Sequence, residues 1–207
     1  MEIQSIRTAS TNAAKALGID VSTTLPLIEP PYRTKNVHET ISRILAMNVM
    51  AAIAYGFDKT KGIAWLSREK LEGSLSEHER TFLSKGSGDT TPFKLQIEGM
   101  WALAWSIGVV KELDFAKDCD EKFAQELPNL KLNQGGENLR RIANQRPLEE
   151  ILGACDLAYC LHSAIRESQI TNKNSPKKLK PYVILERRRA LDWLLSEESW
   201  DEIDLDT

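Results

Sequence analysis

The chain has 207 residues, of which 42% are apolar and 28% are charged, and its formal net charge is −3. A composition this ordinary excludes a disordered or collagen-like chain, and a chain of this length can fold around its own core without disulfides or metals. Because 27 basic residues are balanced by 30 acidic ones, the protein has no broad positive field, which argues against general binding to nucleic acid.

Cysteine use and apolar windows indicate the compartment. There are three cysteines, an odd number, and no two of them have C-x-x-C spacing, so the sequence predicts neither a disulfide framework nor a zinc site. Free thiols suit a reducing cytosol. The N-terminal segment lacks the apolar core of a signal peptide, and the most apolar windows, 44–57 and 100–110, fall short of the ~18 residues of a membrane span. We therefore expect a cytoplasmic protein with no membrane-spanning segment.

Residues 1–17 predict a first helix, and residues 19–35 predict an extended arm. The helix has apolar residues at 3.6-residue spacing and ends at Gly18, which can adopt the left-handed conformation of a helix C-terminus. The arm contains prolines at positions 26, 30 and 31, which forbid a helix and favour extended chain. We expect the apolar residues of segment 25–28 to contact the body of the protein.

Helix start signals divide the core, residues 36–195, into further predicted helices. Two starts are capping boxes, Asn36 with Glu39 and Ser76 with Glu79, in which each side chain accepts a hydrogen bond from the backbone amide of the other residue. Three starts have a proline in the first turn, where its missing N–H group is not needed. The predicted helices cover about 36–56, 63–71, 76–83, 92–107, 119–127, 147–170 and 181–195.

Loops and an acidic tail complete the chain. Residues 85–91, 129–136 and 171–180 are rich in glycine or polar side chains and are predicted to be loops. Residues 197–207 form a tail with six acidic residues and no basic one. We expect this tail to be docked, because it also contains tryptophan, isoleucine and leucine as apolar anchors. No segment alternates long enough to predict a sheet, so the fold class is all-α: a single-domain irregular bundle of about eight or nine helices over residues 1–207.

Six blocks of the sequence share a pattern. In chain order they are GIDV with LP at 18–26, EGMWALAWSIG at 98–108, CD at 119–120, EILGACDLAYCLH at 150–162, ERRRALDWL at 186–194 and WDEIDLDT at 200–207. This pattern resembles the bacterial proteins grouped as domain-of-unknown-function family 4272. The resemblance covers the chain from about residue 7 to the end and implies a helical single domain in a bacterial cytoplasm, but it implies no activity.

Two positions depart from the family pattern. Ser163 stands where an aromatic residue usually follows the histidine, and Asp192 stands where an asparagine often precedes the tryptophan of the last helix. A pocket shaped by that aromatic residue would be altered in this protein.

The longest predicted helix carries the most informative polar face. At 100° per residue, four side chains lie within about 80° of one another, with His162 at the edge: Asp156, Tyr159, Ser163 and Arg166. A carboxylate, a phenol, an imidazole and a guanidinium in one cleft could bind an anion or move a proton. The alternative is a half-exposed face whose charges pair with neighbouring helices. We favour this alternative because structural ion pairs gather the same residue types.

Charged residues elsewhere are candidate partners for this face. We expect Arg166 to pair with Glu98 or Glu186, and Asp156 to pair with one of the arginines at 187–189, because a partly buried charge is costly unless paired. Glu98 also lies on one helical stripe with Trp101, where a carboxylate beside an indole could hold a cationic or planar ligand. Tryptophans at helical spacing are more often core, and we expect the stripe to be buried.

The only basic cluster is formed by arginines 187–189 with lysines 177, 178 and 180. It could grip phosphate or nucleic acid, but the acidic tail lies within reach, and three consecutive arginines on a helix point in different directions. The histidines, cysteines and acids show no metal-ligand spacing, and no phosphate-binding or nucleotide-binding glycine motif occurs. We therefore predict no catalytic residue, no metal site and no cofactor.

Three functional hypotheses remain. We favour a non-enzymatic binding or protein-interaction domain with a protein partner. The alternative is a small-molecule-binding protein or hydrolytic enzyme that uses His162, Asp156, Glu98 and Tyr159, and a nucleic-acid-associated factor is third. An enzyme requires Glu98 and His162 to converge in one pocket, whereas an interaction protein predicts that they are paired structurally. The candidate ligand-binding or partner-binding residues are Glu98, Trp101, Asp156, Tyr159, His162, Arg166 and Glu186.

Overall fold

The computed structural model describes residues 2–30, 32–85, 88–171 and 179–206. Over these ranges every regular element is helical, with nine α-helices, four short 3₁₀ helices and no strand, which confirms the all-α prediction. The α-helices are α1 (Ile3–Ala16), α2 (Val37–Ala54), α3 (Lys59–Arg68), α4 (Glu77–Lys85), α5 (Thr91–Leu95), α6 (Ile97–Ser106), α7 (Glu137–Ile142), α8 (Leu148–Ile170) and α9 (Pro181–Leu195). The 3₁₀ helices are Glu72–Ser74, Phe123–Gln125, Leu130–Leu132 and Trp200–Glu202.

Helices α2, α6, α8 and α9 form the core. Helix α6 packs against α9 and α2, and α8 packs against α1 and α9. Apolar side chains such as Ile44, Leu103 and Leu191 are completely buried between them. At Gly99 the helices α6 and α9 approach so closely that a Cβ atom would lie 3.0 Å from the main-chain oxygen of Glu186. A larger residue at position 99 would therefore push these two helices apart.

The capping boxes predicted from the sequence are present. The Asn36 side chain accepts from the Glu39 amide at 3.0 Å, and the Glu39 carboxylate accepts from the Asn36 amide at 3.0 Å. Ser76 and Glu79 make the corresponding pair of hydrogen bonds at 3.3 and 2.8 Å. These contacts satisfy backbone donors that a helix N-terminus leaves open, and they fix where α2 and α4 begin.

Three segments differ from the sequence expectations. The single helix predicted over 92–107 is two helices, α5 and α6, that meet at Gln96. The helix predicted over 119–127 is only the 3₁₀ turn Phe123–Gln125, and the six-residue α7 was not predicted. The predicted loop 171–180 lies mostly outside the described residues, as do Lys177 and Lys178 of the predicted basic cluster.

Distant side chains hold the chain between α6 and the Phe123–Gln125 turn. Arg146 donates to the carbonyl groups of Val110 and Lys111 at 3.2 and 3.1 Å. Further along, this segment is bonded to Arg187 and Glu98. These interactions occupy peptide groups that a helix would pair internally, so the segment stays irregular.

The arm and the tail both lie against the helices. Ile19 of the arm is buried, and the Lys35 amide donates to the Leu194 carbonyl at 2.8 Å. In the tail, Trp200 and Ile203 are buried. Of the other tryptophans expected in the core, Trp105 and Trp193 are buried, whereas Trp101 is only half-buried. In the described part of the chain, no helix combines the length and apolar character that crossing a membrane requires.

Candidate functional site

Asp156 forms a buried ion pair with Arg7 of α1. The guanidinium donates from Nη2 to Oδ1 at 2.7 Å and from Nε to both carboxylate oxygens at 3.1 Å. In the arm, Nη1 of Arg7 donates to the carbonyl oxygen of Leu25 and Nη2 also donates to that of Pro26, both at 2.7 Å. The prediction that Asp156 pairs with one of arginines 187–189 was wrong, because α1 and not α9 covers the side of α8 on which Asp156 lies.

Arg188 is the centre of a second buried network. It donates to the Asp192 carboxylate at 3.0 Å, to the Leu205 carbonyl at 3.0 Å and to the Asp206 carbonyl at 3.3 Å. It also bonds to Nδ1 of His162. An arginine can only donate, so this Nδ1 atom accepts and the histidine is unprotonated there. Arg188 therefore ties α8, α9 and the tail together.

The pKa of His162 is lowered from 6.5 to about 4. Burial is the largest cause, followed by the positive charges of Arg188 and Arg166. Tyr159 lies beside Arg188 and Arg7. Its ring centroid is 4.8 Å from the guanidinium carbon of Arg188 and 6.0 Å from that of Arg7. A neutral imidazole occupied by an arginine is a structural acceptor, not a poised general base.

Glu98 pairs with Arg187, not with Arg166 as expected. Its Oε2 atom accepts from Nη2 and Nε of Arg187 at 2.6 and 3.0 Å, and its Oε1 atom accepts from the Cys119 amide at 3.0 Å. Arg187 also donates to the carbonyl groups of Asp114 and Lys117, at 2.7 and 2.9 Å. All the polar atoms of this carboxylate are thus engaged in holding α6, α9 and the 114–119 segment together.

Trp101 and Glu186 lie away from the polar face of α8. The Trp101 indole donates to the Glu112 carbonyl at 3.1 Å and meets the Phe123 ring edge-on, with the centroids 5.0 Å apart. Glu186 is half-buried, and burial raises the pKa of its carboxyl, against the opposing effect of Arg189. Glu186 was the other expected partner of Arg166, but within the described residues it forms no ion pair.

Arg166 is exposed and, among the described residues, has no ion pair or hydrogen bond. It lines an open groove of about 550 Å³ between the arm, the end of α8 and the tail, which we call the arm–tail groove. Tyr159 is the other predicted site residue in this groove. The remaining lining residues are Ser22, Thr24, Leu25, Pro26, Ser163, Glu167, Ile170 and Asp206. Of the seven predicted residues, two line this groove, namely Tyr159 and Arg166.

Arg7 was not among the predicted site residues, although the sequence of α1 contains a signal for its role. On α1 the buried residues include Arg7, Ser10 and Ala14, at helical spacing i, i+3 and i+7. A charged residue on such a stripe must be paired. Its partner could not be named, because Asp156 is 149 residues away in the chain.

The three cysteines are held as thiols. Burial raises the pKa of Cys119 to about 12, with the Glu98 charge adding to the effect. Burial, followed by the Asp156 charge, raises the pKa of Cys160 to about 11, and burial also raises the pKa of Cys155 well above its ordinary value. Thiols of this kind are poor nucleophiles at neutral pH. The described residues contain no group of three or more histidines, cysteines and acids that could hold a metal ion.

Comparison with known proteins identifies the family. No curated protein and no solved structure matches the chain significantly. One family model, described as "Domain of unknown function (DUF4272)", matches residues 7–203, which is nearly the whole chain. The six sequence blocks and this match agree, and the chain therefore belongs to the DUF4272 family.

Proposed function

We propose that this is a non-enzymatic binding protein of the bacterial cytoplasm, and that its arm–tail groove recognises a partner protein. The recognised element would be an extended segment with one carboxylate side chain next to an apolar residue. The single observation that carries the proposal is Arg166, an exposed guanidinium that forms no ion pair with any described residue and lies in an open groove. A planar guanidinium suits a carboxylate because it can donate two parallel hydrogen bonds.

The walls of the groove favour binding without rearrangement. Arg7 fixes the arm through two main-chain carbonyl groups, and Arg188 fixes the tail in the same way. A groove held in place by buried side chains does not have to be ordered when the partner binds, which preserves affinity.

The lining of the groove narrows the class of partner. Hydroxyl groups of Ser163, Ser22 and Thr24 can bond to a peptide backbone, and Ile170, which is 76% exposed, offers an apolar contact at one end. Glu167 and Asp206 also line the groove and would repel a run of acids. We therefore expect a single acidic residue, not an acidic stretch.

The other two hypotheses have less support. Hydrolysis by Glu98, Asp156 and His162 would need free groups, whereas each is bonded to a buried arginine. Nucleic-acid binding by the arginine cluster would need exposed cations, whereas Arg187 and Arg188 are buried. Both observations favour structural roles for these residues.

A displayed library of random peptides, selected on the purified protein, tests the proposal. We expect the enriched peptides to share one acidic residue beside an apolar one. Arg166→Met should weaken their binding at least about ten-fold, the effect of losing one charge-assisted contact. Arg141→Met, at an exposed arginine on α7, is the matched control and should bind like the wild type.

Two outcomes would count against the proposal. One is that no peptide is enriched over the bare support. The other is that the enriched peptides bind Arg166→Met as tightly as they bind the wild type. For any enriched peptide, isothermal titration calorimetry measures its affinity for the wild type, Arg166→Met and Arg141→Met.

A further inference from the structure

A second cavity, away from the arm–tail groove, has an unusual set of basic side chains. It is about 430 Å³ and lies where the start of α2, the chain between α3 and α4, α9 and the tail meet; we call it the tail pocket. Its lining includes Lys35, His38, Lys70, Arg43, Trp193 and Trp200. None of these residues was among the predicted site residues.

The two lysines of the tail pocket are free to meet a ligand. Among the described residues, neither Lys35 nor Lys70 forms an ion pair. The Lys35 ammonium lies 5.0 Å from the centroid of the Trp193 ring, which holds it at the wall of the pocket. Lys70 sits in the left-handed backbone conformation, with φ 59°, at the turn that ends α3.

Arg43 places a further cation at the floor of the tail pocket. It is 2% exposed, pairs with Glu79 at 2.7 and 2.9 Å and lies over the Trp200 ring at 4.3 Å. Its Nε atom has no hydrogen-bond partner among the described residues. Glu79 balances this charge, so the positive charge that is available to a ligand comes mainly from Lys35 and Lys70.

Two carboxylates also line the tail pocket, and they limit the charge of a ligand. Glu39 accepts from the Asn36 amide in the capping box, so it is committed to the start of α2. Glu198 is exposed on the tail. A dianion that contacts the lysines is opposed by the charges of both Glu39 and Glu198, so the pocket favours a small anion held by direct contact with the lysines.

We infer that the tail pocket binds the phosphate group of a small phosphorylated ligand. Lys35, His38 and Ser42 come from the start of α2, and Lys70 comes from the turn that ends α3, so donors from two segments line the pocket. Donors from more than one segment suit a tetrahedral group with several acceptor oxygens better than a planar carboxylate, and lysine commonly binds phosphate as a point charge. The cavity volume exceeds that of phosphate alone and falls within the range of small-ligand sites.

Titration of the purified full-length protein at constant ionic strength tests the inference. The probes are inorganic phosphate, ribose 5-phosphate and adenosine 5′-monophosphate, with adenosine and acetate as controls. Binding is followed by calorimetry and by tryptophan fluorescence, because Trp193 and Trp200 line the pocket. We expect at least one phosphorylated probe to bind with a Kd below about 1 mM, while adenosine and acetate do not bind. Equal binding of all three phosphorylated probes supports recognition of phosphate alone, and tighter binding of one ester supports recognition of its organic part as well.

Variants that remove positive or negative charges from the tail pocket should change the affinity for phosphate in opposite directions, which makes the test specific. Lys35→Gln with Lys70→Gln should weaken binding at least about ten-fold, because the two main cations are lost. Glu198→Gln should tighten binding, because it removes one of the two opposing carboxylate charges. Lys61→Gln with Lys131→Gln, at exposed lysines near the start of α3, is the matched control and should change nothing.

The inference is overturned if no phosphorylated probe binds at 10 mM, a limit of roughly 3 kcal/mol of binding free energy. It is also overturned if the Lys35 and Lys70 variant, shown to be folded by its melting temperature, binds like the wild type. Arg166→Met should leave phosphate binding unchanged. The tail pocket and the arm–tail groove can therefore fail or succeed independently.

Discussion

Three buried arginines, Arg7, Arg43 and Arg187, each donate to one carboxylate and to at least one main-chain carbonyl group. The carboxylate balances the charge, and the carbonyl groups accept from other N–H groups of the guanidinium, although Nε of Arg43 has no partner among the described residues. A buried charge is costly unless it is paired and hydrogen-bonded. Each arginine therefore fixes an irregular segment onto a helix: the arm, the chain between α3 and α4, and the 114–119 segment.

Removing one partner of such a pair should be costly. Arg7→Met leaves the Asp156 charge buried without compensation, and we expect it to lower the free energy of unfolding by about 3–5 kcal/mol. The double variant Arg7→Met, Asp156→Leu should recover part of that loss, because no unpaired charge remains. Denaturant unfolding measures both. Arg166→Met, at an exposed arginine, is the control and should change stability by less than about 0.5 kcal/mol. A loss for Arg7→Met no larger than that of the control would mean that the pair does not hold the arm.

His162 should make stability depend on pH. Its pKa is about 4 in the folded protein and about 6.5 when unfolded, so between these values the unfolded state binds more protons. The contribution of neutral His162 to the free energy of unfolding is therefore fully present above about pH 6.5, and it is lost as the pH falls towards 4. From pH 7 to pH 5 we expect a loss of about 1–2 kcal/mol from this group. His162→Gln should reduce the slope of unfolding free energy against pH, whereas His38→Gln, at an exposed histidine, should not. Equal slopes for wild type and His162→Gln would refute this assignment.

The partners of the buried ion pairs were predicted least well from the sequence. The helical spacing correctly indicated that Asp156 and Glu98 would need arginines, because both lie among apolar neighbours. It could not say which arginine, since Arg7 and Arg187 are 149 and 89 residues away from their partners. The position of Arg166 near the end of α8 was visible, but its exposure depends on which segments cover that end. Local periodicity contains no information about those segments.

At the scale of elements, the bounds of a helix could be predicted where its peptide groups are hydrogen-bonded within the helix or at its cap. They could not be predicted where the peptide groups bond to side chains from elsewhere in the chain. Helices α2, α8 and α9 have long apolar stripes and a cap or proline at the start, so their bounds could be predicted closely. The segment from 109 to 122 is held instead by Arg146, Arg187 and Glu98, which lie elsewhere in the sequence. No local pattern can predict an element whose peptide groups are satisfied by distant side chains.

The start of α2 gives a prediction at this scale. Asn36→Ala removes the side-chain acceptor for the Glu39 amide, and we expect the free energy of unfolding to fall by about 1 kcal/mol. Asn144→Ala, at an exposed asparagine between α7 and α8, is the control and should have little effect. Urea unfolding monitored by circular dichroism measures both variants. If the two variants are equally stable, the capping box does not contribute to the stability of α2.

At the scale of the whole molecule, the tail joins helices that are far apart in the chain. Trp200 packs against Arg43 of α2 and meets the Trp193 ring of α9 at 5.8 Å. The Asp201 carboxylate accepts from the His78 amide at the start of α4, at 2.9 Å. The sequence led us to expect a docked tail with apolar anchors, whose acids lie within reach of arginines 187–189. The main-chain carbonyl groups of Leu205 and Asp206 meet Arg188 instead, so the tail is held by its backbone and its apolar side chains more than by its charge.

Deleting the chain from residue 200 onward should therefore destabilise the whole protein and not only its terminus. The deletion removes a buried tryptophan, worth about 3–5 kcal/mol in a core, and it takes two carbonyl acceptors from Arg188. For a domain of this size, such a loss lowers the melting temperature by roughly 10 °C. The control keeps the tail but replaces exposed acids, Glu197→Gln with Asp204→Asn, and should melt close to the wild type because docking does not depend on those charges. An unchanged melting temperature after the deletion would show that the tail is not docked. A control variant as unstable as the deletion would show that charge, and not the buried Trp200 and the Arg188 contacts, holds the tail in place.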